Sequence, residues 1–279
     1  MNIEPLSAED IRSAPAWVEQ RSVREDQWNG PDSRTLAAWR DEELTAVALM
    51  WLPELHDSHY EIRLILRPGA MSAAKRLVEH LLALRSQPRP ALTRGFITAE
   101  NTVVFDDLGG RTVQMVPPSQ VSVRKREALR TFPLVRSAAS VSFDALRTAI
   151  NSMYMWTHEE WAPVSSSHLN QPANSLGFPD EVDMEASSVA VGDEGEVNAL
   201  ALVFPDAGNS ILIAETTSKD TAGGERLVEG CLRRSLDVLA ERGVEIVEFD
   251  GHISDRHFFP NWMKVEPKGT WFRLVELSD

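Results

Sequence analysis

Two stretches of the chain carry the same succession of apolar and polar positions. Ile62–Glu79 and Leu212–Glu229 align without a gap at a constant offset of 150 residues. Each opens as a short apolar strand, passes through small residues and enters a helical pattern. Leu77, Val78, Leu81 and Leu82 correspond to Leu227, Val228, Cys231 and Leu232, and this spacing lies on one face of a helix of period 3.6. The flanks repeat too. Ahead of each stretch the pattern predicts a hairpin, Thr35–Trp39 with Thr45–Met50 and Ser188–Val191 with Ala199–Phe204, turning at Asp41–Glu43 and Gly192–Gly195. After each come another strand (Gly95–Ala99, Val244–Phe249), a short polar-aromatic segment and a last strand (Thr112–Val116, Thr270–Val275).

Each half therefore reads helix, hairpin, strand, long helix, strand, short helix, strand. The expected fold class is α+β: two tandem domains, each a mixed, mostly antiparallel sheet flanked by helices. The expected boundaries are residues 1–118, a linker at 119–134 and residues 135–279. Pro117 and Pro118 remove ladder donors and end the first sheet, and the basic run Val123–Arg130 reads as a solvated linker or helix face rather than an anion patch. Trp161–Asp183 lacks periodicity, so it is either a mobile surface excursion or a substrate-covering loop.

Composition narrows the functional classes. The 279 residues are 43% apolar and 25% charged, as in soluble globular chains. Apolar runs fall short of the roughly 20 residues a membrane helix needs, and Met1–Pro5 shows no leader pattern. The single cysteine, Cys231, excludes an internal disulfide and a cysteine metal cluster, and belongs on the apolar helix face; a reducing cytoplasm is the expected setting. Basic residues number 28 against 42 acidic, a net charge of −14, which argues against nucleic acid and anionic membranes as partners. A small neutral or basic substrate suits this field. Two fused units allow a monomer or a homodimer.

The candidate chemistry gathers at the second small-residue bend. Ala222, Gly223 and Gly224 precede Glu225 and Arg226 at a helix start, where unpaired N–H groups and the helix dipole attract phosphate. Lys219 adds a point charge and Thr221 is a candidate cap; small residues there serve either a diphosphate or tight strand–helix packing. The first bend, Gly69–Ala74, has no basic residue. Tyr154, Trp156, His158 and Glu159 form a second cluster, read either as an amine subsite, by ion pairing and ring-face attraction, or as a domain-interface helix.

Lys219-Asp-Thr-Ala222-Gly-Gly224, leading into Glu225-Arg-Leu227-Val228, resembles the signature of the GCN5-related N-acetyltransferase (GNAT) superfamily, with Lys for its Arg or Gln and Ala for its first Gly. The doubled unit resembles the tandem two-domain type, of which mycothiol synthase is known. The resemblance implies transfer of an acetyl group from acetyl-CoA to an amine of a small molecule by the C-terminal domain, the N-terminal one being degenerate. It implies a coenzyme site between diverging strands, using Ile213, Ala214 and Thr216 with Lys219, Thr221, Ala222, Gly223, Gly224, Glu225 and Arg226. Glu215 is the leading general base, Asp250 and His252 the second choice. Phe258 stands where the family places a thiolate-protonating Tyr, so His257 or Ser254 is the substitute. A GNAT-fold binding or interaction protein without catalysis is the alternative.

Overall fold

The computed structural model describes residues 2–6, 32–97, 100–205 and 209–278. The helix expected ahead of the first hairpin, and Thr98 and Ala99 of an expected strand, lie outside the described residues. The chain divides into two compact units, Met1–Val113 with Phe272–Asp279, and Gln114–Trp271.

In the first unit, β1 (Asn2–Pro5), β2 (Arg34–Arg40), β3 (Glu43–Trp51) and β4 (Tyr60–Leu66) lead into α1 (Met71–Ala83). Then follow β5 (Ala91–Phe96), α2 (Glu100–Asp107) and β6 (Arg111–Val116). Strand alternation decides the packing. Ala46, Ala48 and Met50 of β3 and Tyr60, Ile62 and Leu64 of β4 face the buried stripe of α1, Ala73, Ala74, Leu77, Val78 and Leu81. Val47, Leu49, Trp51 and Ile65 join a second apolar cluster on the opposite sheet face. With both faces buried, β3 reads as a continuous apolar run. The turn expected at Asp41–Glu43 is present, with positive φ of 50° at Asp41 and 65° at Glu42.

In the second unit, β7 (Gln120–Ser122), a 3₁₀ turn (Val123–Ala128), β8 (Val135–Ser137), α3 (Phe143–His158) and the one-turn α4 (Pro172–Ser175) come first. They are followed by β9 (Ser188–Val191), β10 (Val197–Pro205), β11 (Ser210–Thr216), α5 (Gly224–Glu241), β12 (Ile246–Phe249) and α6 (Phe259–Lys264). Sheet order is β7-β12-β11-β10-β9-β8. Leu200 and Leu202 of β10 pack with Leu146, Ile150 and Met153 of α3. Successive strand residues alternate faces, so Ala199, Ala201 and Val203 serve the opposite face, where α5 contacts β10. Cys231 is wholly buried there, and burial pushes its thiol far above the ordinary range.

Two boundaries differ from expectation. The last strand, expected to close the second domain, is β13 (Phe272–Leu277), and it pairs antiparallel with β5 from Phe272↔Phe96 to Leu277↔Ala91. The first sheet is thus β1-β2-β3-β4-β5-β13-β6. The expected linker at 119–134 is part of the second unit. Its β7 pairs antiparallel with β12, and its basic run is tied to α5 by Arg126–Asp237 (2.9 Å) and Arg130–Glu229 (2.6 Å). Alternation marks a segment as a strand without naming the sheet edge it joins.

Trp161–Asp183, expected as a mobile excursion or a substrate-covering loop, is packed on the second unit over part of its length. Ala173, Phe178 and Val182 are buried beside α3, and the Ala173 amide donates to Asn151 Oδ1 at 2.8 Å. Among the described residues, no helix is long and apolar enough to cross a membrane.

Two expectations follow. β13 contributes buried Leu274, Val275 and Leu277, each worth about 1.5–3 kcal/mol, a sum comparable with a domain's whole stability. Deleting residues 272–279 should therefore expose 32–113 to limited proteolysis while 114–271 stays protected; equal protection of both would contradict the assignment.

His59, 3% exposed, has its pKa lowered to about 4, first by burial and then by the neighbouring His56. The unfolded chain takes up this proton near pH 6.5 and the folded chain does not. Stability is therefore full above pH 6.5 and falls toward pH 4, by about 3 kcal/mol. Urea unfolding of the first unit between pH 7 and 4.5 should show this slope, and His59→Gln should flatten it.

Candidate active site

The parallel strands β11 and β12 pair over only three positions, Ser210↔Val247, Ile211↔Glu248 and Leu212↔Phe249. The last bond between them runs from the Asp250 amide to the Leu212 carbonyl at 2.9 Å. Beyond it, Ile213, Ala214, Glu215 and Thr216 pair with β10 alone, up to Thr216↔Ala199. A wedge opens on their other side. Where the chain leaves β12, Phe249, Phe258 and Trp262 pack in tilted and edge-on contacts with centroids 4.9–5.7 Å apart. Gly251 sits at the bend, where a Cβ would meet Asp255 Oδ2 at 2.7 Å. In the first unit β4 and β5 likewise pair only over Tyr60↔Ala91 to Ile62↔Thr93, so the wedge is part of the duplication.

β11 feeds the turn that starts α5. The Thr221 amide and hydroxyl both donate to the Ser218 carbonyl, at 3.2 and 2.8 Å, and the Gly224 amide donates to Thr221 O at 3.0 Å. Thr221 thus closes the turn rather than capping the helix. The cap position is Gly223, left-handed at φ 67°, with no side-chain cap bond. Its carbonyl accepts from Arg226 and Leu227 at 2.9 and 3.2 Å. Among the described residues, the amides of Ala222, Gly223 and Glu225 have no intramolecular partner. They lie at the positive end of an 18-residue helix, a local device that attracts an anion in an acidic protein.

The two glycines have separate physical causes. A Cβ on Gly223 would meet nothing within 4 Å, whereas one on Gly224 would fall 2.7–2.9 Å from the His257 ring. Gly224 is therefore small because an imidazole lies on it.

Glu215, 1% exposed, organises the wedge. Its Oε1 accepts from the Thr216 amide (2.7 Å) and His257 Nδ1 (2.8 Å). Its Oε2 accepts from the His257 and Phe258 amides (3.0 and 3.1 Å). Trp156 Nε1 donates to the Thr216 carbonyl at 2.8 Å, bringing α3 to the same strand end.

The remaining expected residues divide into groups. Lys219 and Glu159, expected to hold coenzyme and substrate, pair with one another at 2.9 Å on the surface. Arg226 lies over the Phe132 ring at 5.3 Å, and Glu225 pairs with Lys264 at 2.9 Å. Asp250 is exposed where the strands part. His252 is buried against Trp161 (centroids 4.6 Å apart), which packs on His158 (4.8 Å), itself stacked on Tyr154 (3.9 Å). Phe258 is fully buried.

Sequence reasoning gave no role to Asp255 and Asn261. Asp255 Oδ2 accepts from the His252 amide at 2.6 Å, and burial raises its pKa while its bonds to His252 oppose the rise. Asn261 links the Glu225 and His257 carbonyls at 2.8 and 2.9 Å. Its place three residues before Lys264 was the available signal, since Lys264 Nζ donates to Asn261 Oδ1 at 2.8 Å. Among the described residues, no group of three metal-ligating side chains gathers.

Glu215→Ala would orphan three backbone donors and the imidazole. At about 1–3 kcal/mol for each unsatisfied buried donor, the loss should exceed about 3 kcal/mol and lower the unit's Tm by about 6–12 °C. A calorimetric shift under 2 °C would contradict the network.

No family model matches the chain, and no curated protein is a significant match. Solved structures do match. A tandem GNAT protein from the clavulanic acid biosynthesis pathway is 12% identical with a TM-score of 0.63, covering 100% of this chain and 99% of its own. A GCN5-related N-acetyltransferase from Sphaerobacter thermophilus is 12% identical with a TM-score of 0.59, covering 92% and 82%. A GNAT-family acetyltransferase from Colwellia psychrerythraea is 11% identical with a TM-score of 0.54, covering 99% and 98%. At such identities the likeness is one of architecture, and it agrees with two mixed sheets, each with a parallel strand pair that parts beside a helix start: the chain has the tandem GCN5-related N-acetyltransferase fold.

Proposed function

We propose that the protein is an acyl-CoA-dependent N-acyltransferase whose second unit holds the coenzyme and passes an acetyl group to an amine of a small molecule. One observation carries the reading. A strand wedge opens directly into a turn with three unpartnered amides, those of Ala222, Gly223 and Glu225. A diphosphate needs donors, positive potential and bare backbone, and that turn offers all three at Gly223, where no side-chain atom stands within 4 Å. Lys219 is tethered to Glu159, but the pair is half exposed. Solvent screens such an exposed pair, so a phosphate could compete with Glu159 for Lys219. The pantetheine arm would run along Ile213–Thr216, whose wedge side has no strand partner. Asp250, exposed at the parting, is the residue we assign to take the proton of the acceptor's ammonium. Acid and aromatic side chains at the end of α3, Trp156 and Glu159 among them, suit a cationic acceptor.

The second reading is a GNAT-fold binding or interaction protein without turnover. It is favoured by the fully occupied Glu215 carboxylate and by the imidazole covering Gly224. Binding and turnover separate the two readings.

Titration calorimetry with acetyl-CoA should show one saturable site. Gly223→Ala adds a methyl to open space at positive φ, a strain of about 1–2 kcal/mol, and should weaken binding at least tenfold. Gly69→Ala imposes the same kind of strain in the first unit (φ 82°, nothing within 4 Å) and should leave the affinity unchanged. Equal affinity in both variants would remove the turn from the account; saturable binding without CoA release over a broad amine panel would favour the second reading.

A further inference from the structure

The wedge of the first unit is more open than that of the second, and strand parity shows why. The Arg67 amide donates to Thr45 O at 3.0 Å, continuing the β3–β4 register that runs from Trp51↔Glu61 to Ala46↔Leu66. In an antiparallel ladder alternate residues bond to the partner strand, so the odd residues of β4 serve β3. The amides and carbonyls of its even residues face β5; Tyr60 agrees, donating to Pro90 O at 2.9 Å. Pairing with β5 stops at Ile62↔Thr93. Beyond it, Leu64 and Leu66 turn their amides and carbonyls into the wedge, and among the described residues nothing bonds them. The equivalent of Leu66 in the second unit is Thr216, whose amide and carbonyl are taken by Glu215 Oε1 and Trp156 Nε1 at 2.7 and 2.8 Å. Ile65, buried where the second unit has Glu215, has no group to make that bridge.

A second observation marks the same place. Thr93 ends the β4–β5 pairing, and alternation puts its side chain on the face of Ala91 and Gly95. α2 covers that face: a Cβ on Gly95 would meet Thr102 Oγ1 at 3.5 Å and the Phe105 ring at 3.6 Å. The hydroxyls of Thr93 and Thr102, 4% and 5% exposed, have no hydrogen-bond partner. Buried hydroxyls are rarely left so, and two beside an open ladder call for a polar guest.

The walls set the chemistry of that guest. Glu61 and Arg63 alternate to the sheet face of Ile65, Arg94 to the face opposite Thr93, and Gly69–Ala74 carries no ionisable side chain. The guest is therefore uncharged. Both sheet faces are covered, by the cluster of Leu64 and Phe105 on one side and that of Ile65 on the other. An inserted chain with side chains branching alternately up and down would collide with both. We propose that the first unit holds a second ligand site, for a neutral, unbranched chain bearing two amides, of the pantetheine type without a nucleotide. The site stands apart from the acyltransfer reading of the second unit.

The test titrates the full chain, its second unit saturated with coenzyme A, with reduced pantetheine, whose cysteamine–β-alanine half is unbranched over two amides. Calorimetry should show one saturable site. Thr93→Val and Thr102→Val should each weaken it about two- to tenfold, the range for one neutral hydrogen bond. Neither hydroxyl has a bond to lose in the free protein, so the Tm of both variants should stay at or above the wild-type value. Exchange of the Leu64 and Leu66 amides should slow when pantetheine binds, and Gly223→Ala should leave its affinity unchanged. A heat that coenzyme A abolishes, an affinity that both threonine variants keep, or a Tm loss above about 5 °C in both would overturn the site. If coenzyme A binds and pantetheine gives no heat, this site alone fails. If coenzyme A does not bind while pantetheine does, and Thr93→Val weakens it, the coenzyme reading fails and this site stands.

Discussion

Taking a carboxylate out of water costs several kcal/mol unless its lone pairs meet donors, and the second unit meets that demand at Glu215 with four. Those bonds do more than neutralise a charge. The Thr216 amide belongs to the end of β11, the His257 and Phe258 amides begin the segment that becomes α6, and the imidazole covers the first residue of α5. One buried group thus locks three elements at the place where β11 and β12 separate. The wedge is a fixed feature for this reason: its walls are tied to each other through a side chain, not through a ladder that could zip closed.

The helix that faces the wedge is fastened along its length. Asn261 and Lys264 hold its first turn, and Lys264 also pairs with Glu225. Glu229, whose burial pushes its carboxyl up while the Arg130 side chain and amide bring it to a net position below the ordinary value, ties the second turn to the segment before β8. Arg126 and Arg233 share Asp237. Of the basic run that could have been an anion patch, Arg126 and Arg130 pair with acidic residues of α5 and Lys125 with Glu266, while the amides ahead of Glu225 offer a local attraction for an anion. The chain's net charge is negative, and a ligand seated on a helix start is held by the local N–H groups and dipole rather than by that average.

The duplicated strand–turn–helix was legible because both halves print the helical period on the same positions: Leu77, Val78 and Leu81 are buried in one unit, Val228, Cys231 and Leu232 in the other. The sheet edges were not legible. Phe272–Leu277 and Gln120–Ser122 announce themselves as extended, yet which neighbour they pair with depends on the two open edges beside β5 and β12. Trp161–Asp183 hid its order because Ala173, Phe178 and Val182 pack irregularly, with no period to detect. At the site, the bend and the strand-end residues could be located, but their partners could not. Two of the donors to Glu215 are backbone amides some forty residues away, a group any sequence supplies at any position. Gly224 shows the same limit: glycine suggests a ligand, and only the fold reveals the imidazole resting on it.

The central claim is that the bare turn ahead of α5 receives the phosphates of a coenzyme, and a crystal structure with coenzyme A tests it most directly. The account expects diphosphate oxygens within hydrogen-bond distance of the Ala222, Gly223 and Glu225 amides, with the pantetheine chain lying between Ile213–Thr216 and Asp250. A coenzyme lodged in the first unit alone, or a turn that stays empty at saturating concentration, would contradict it.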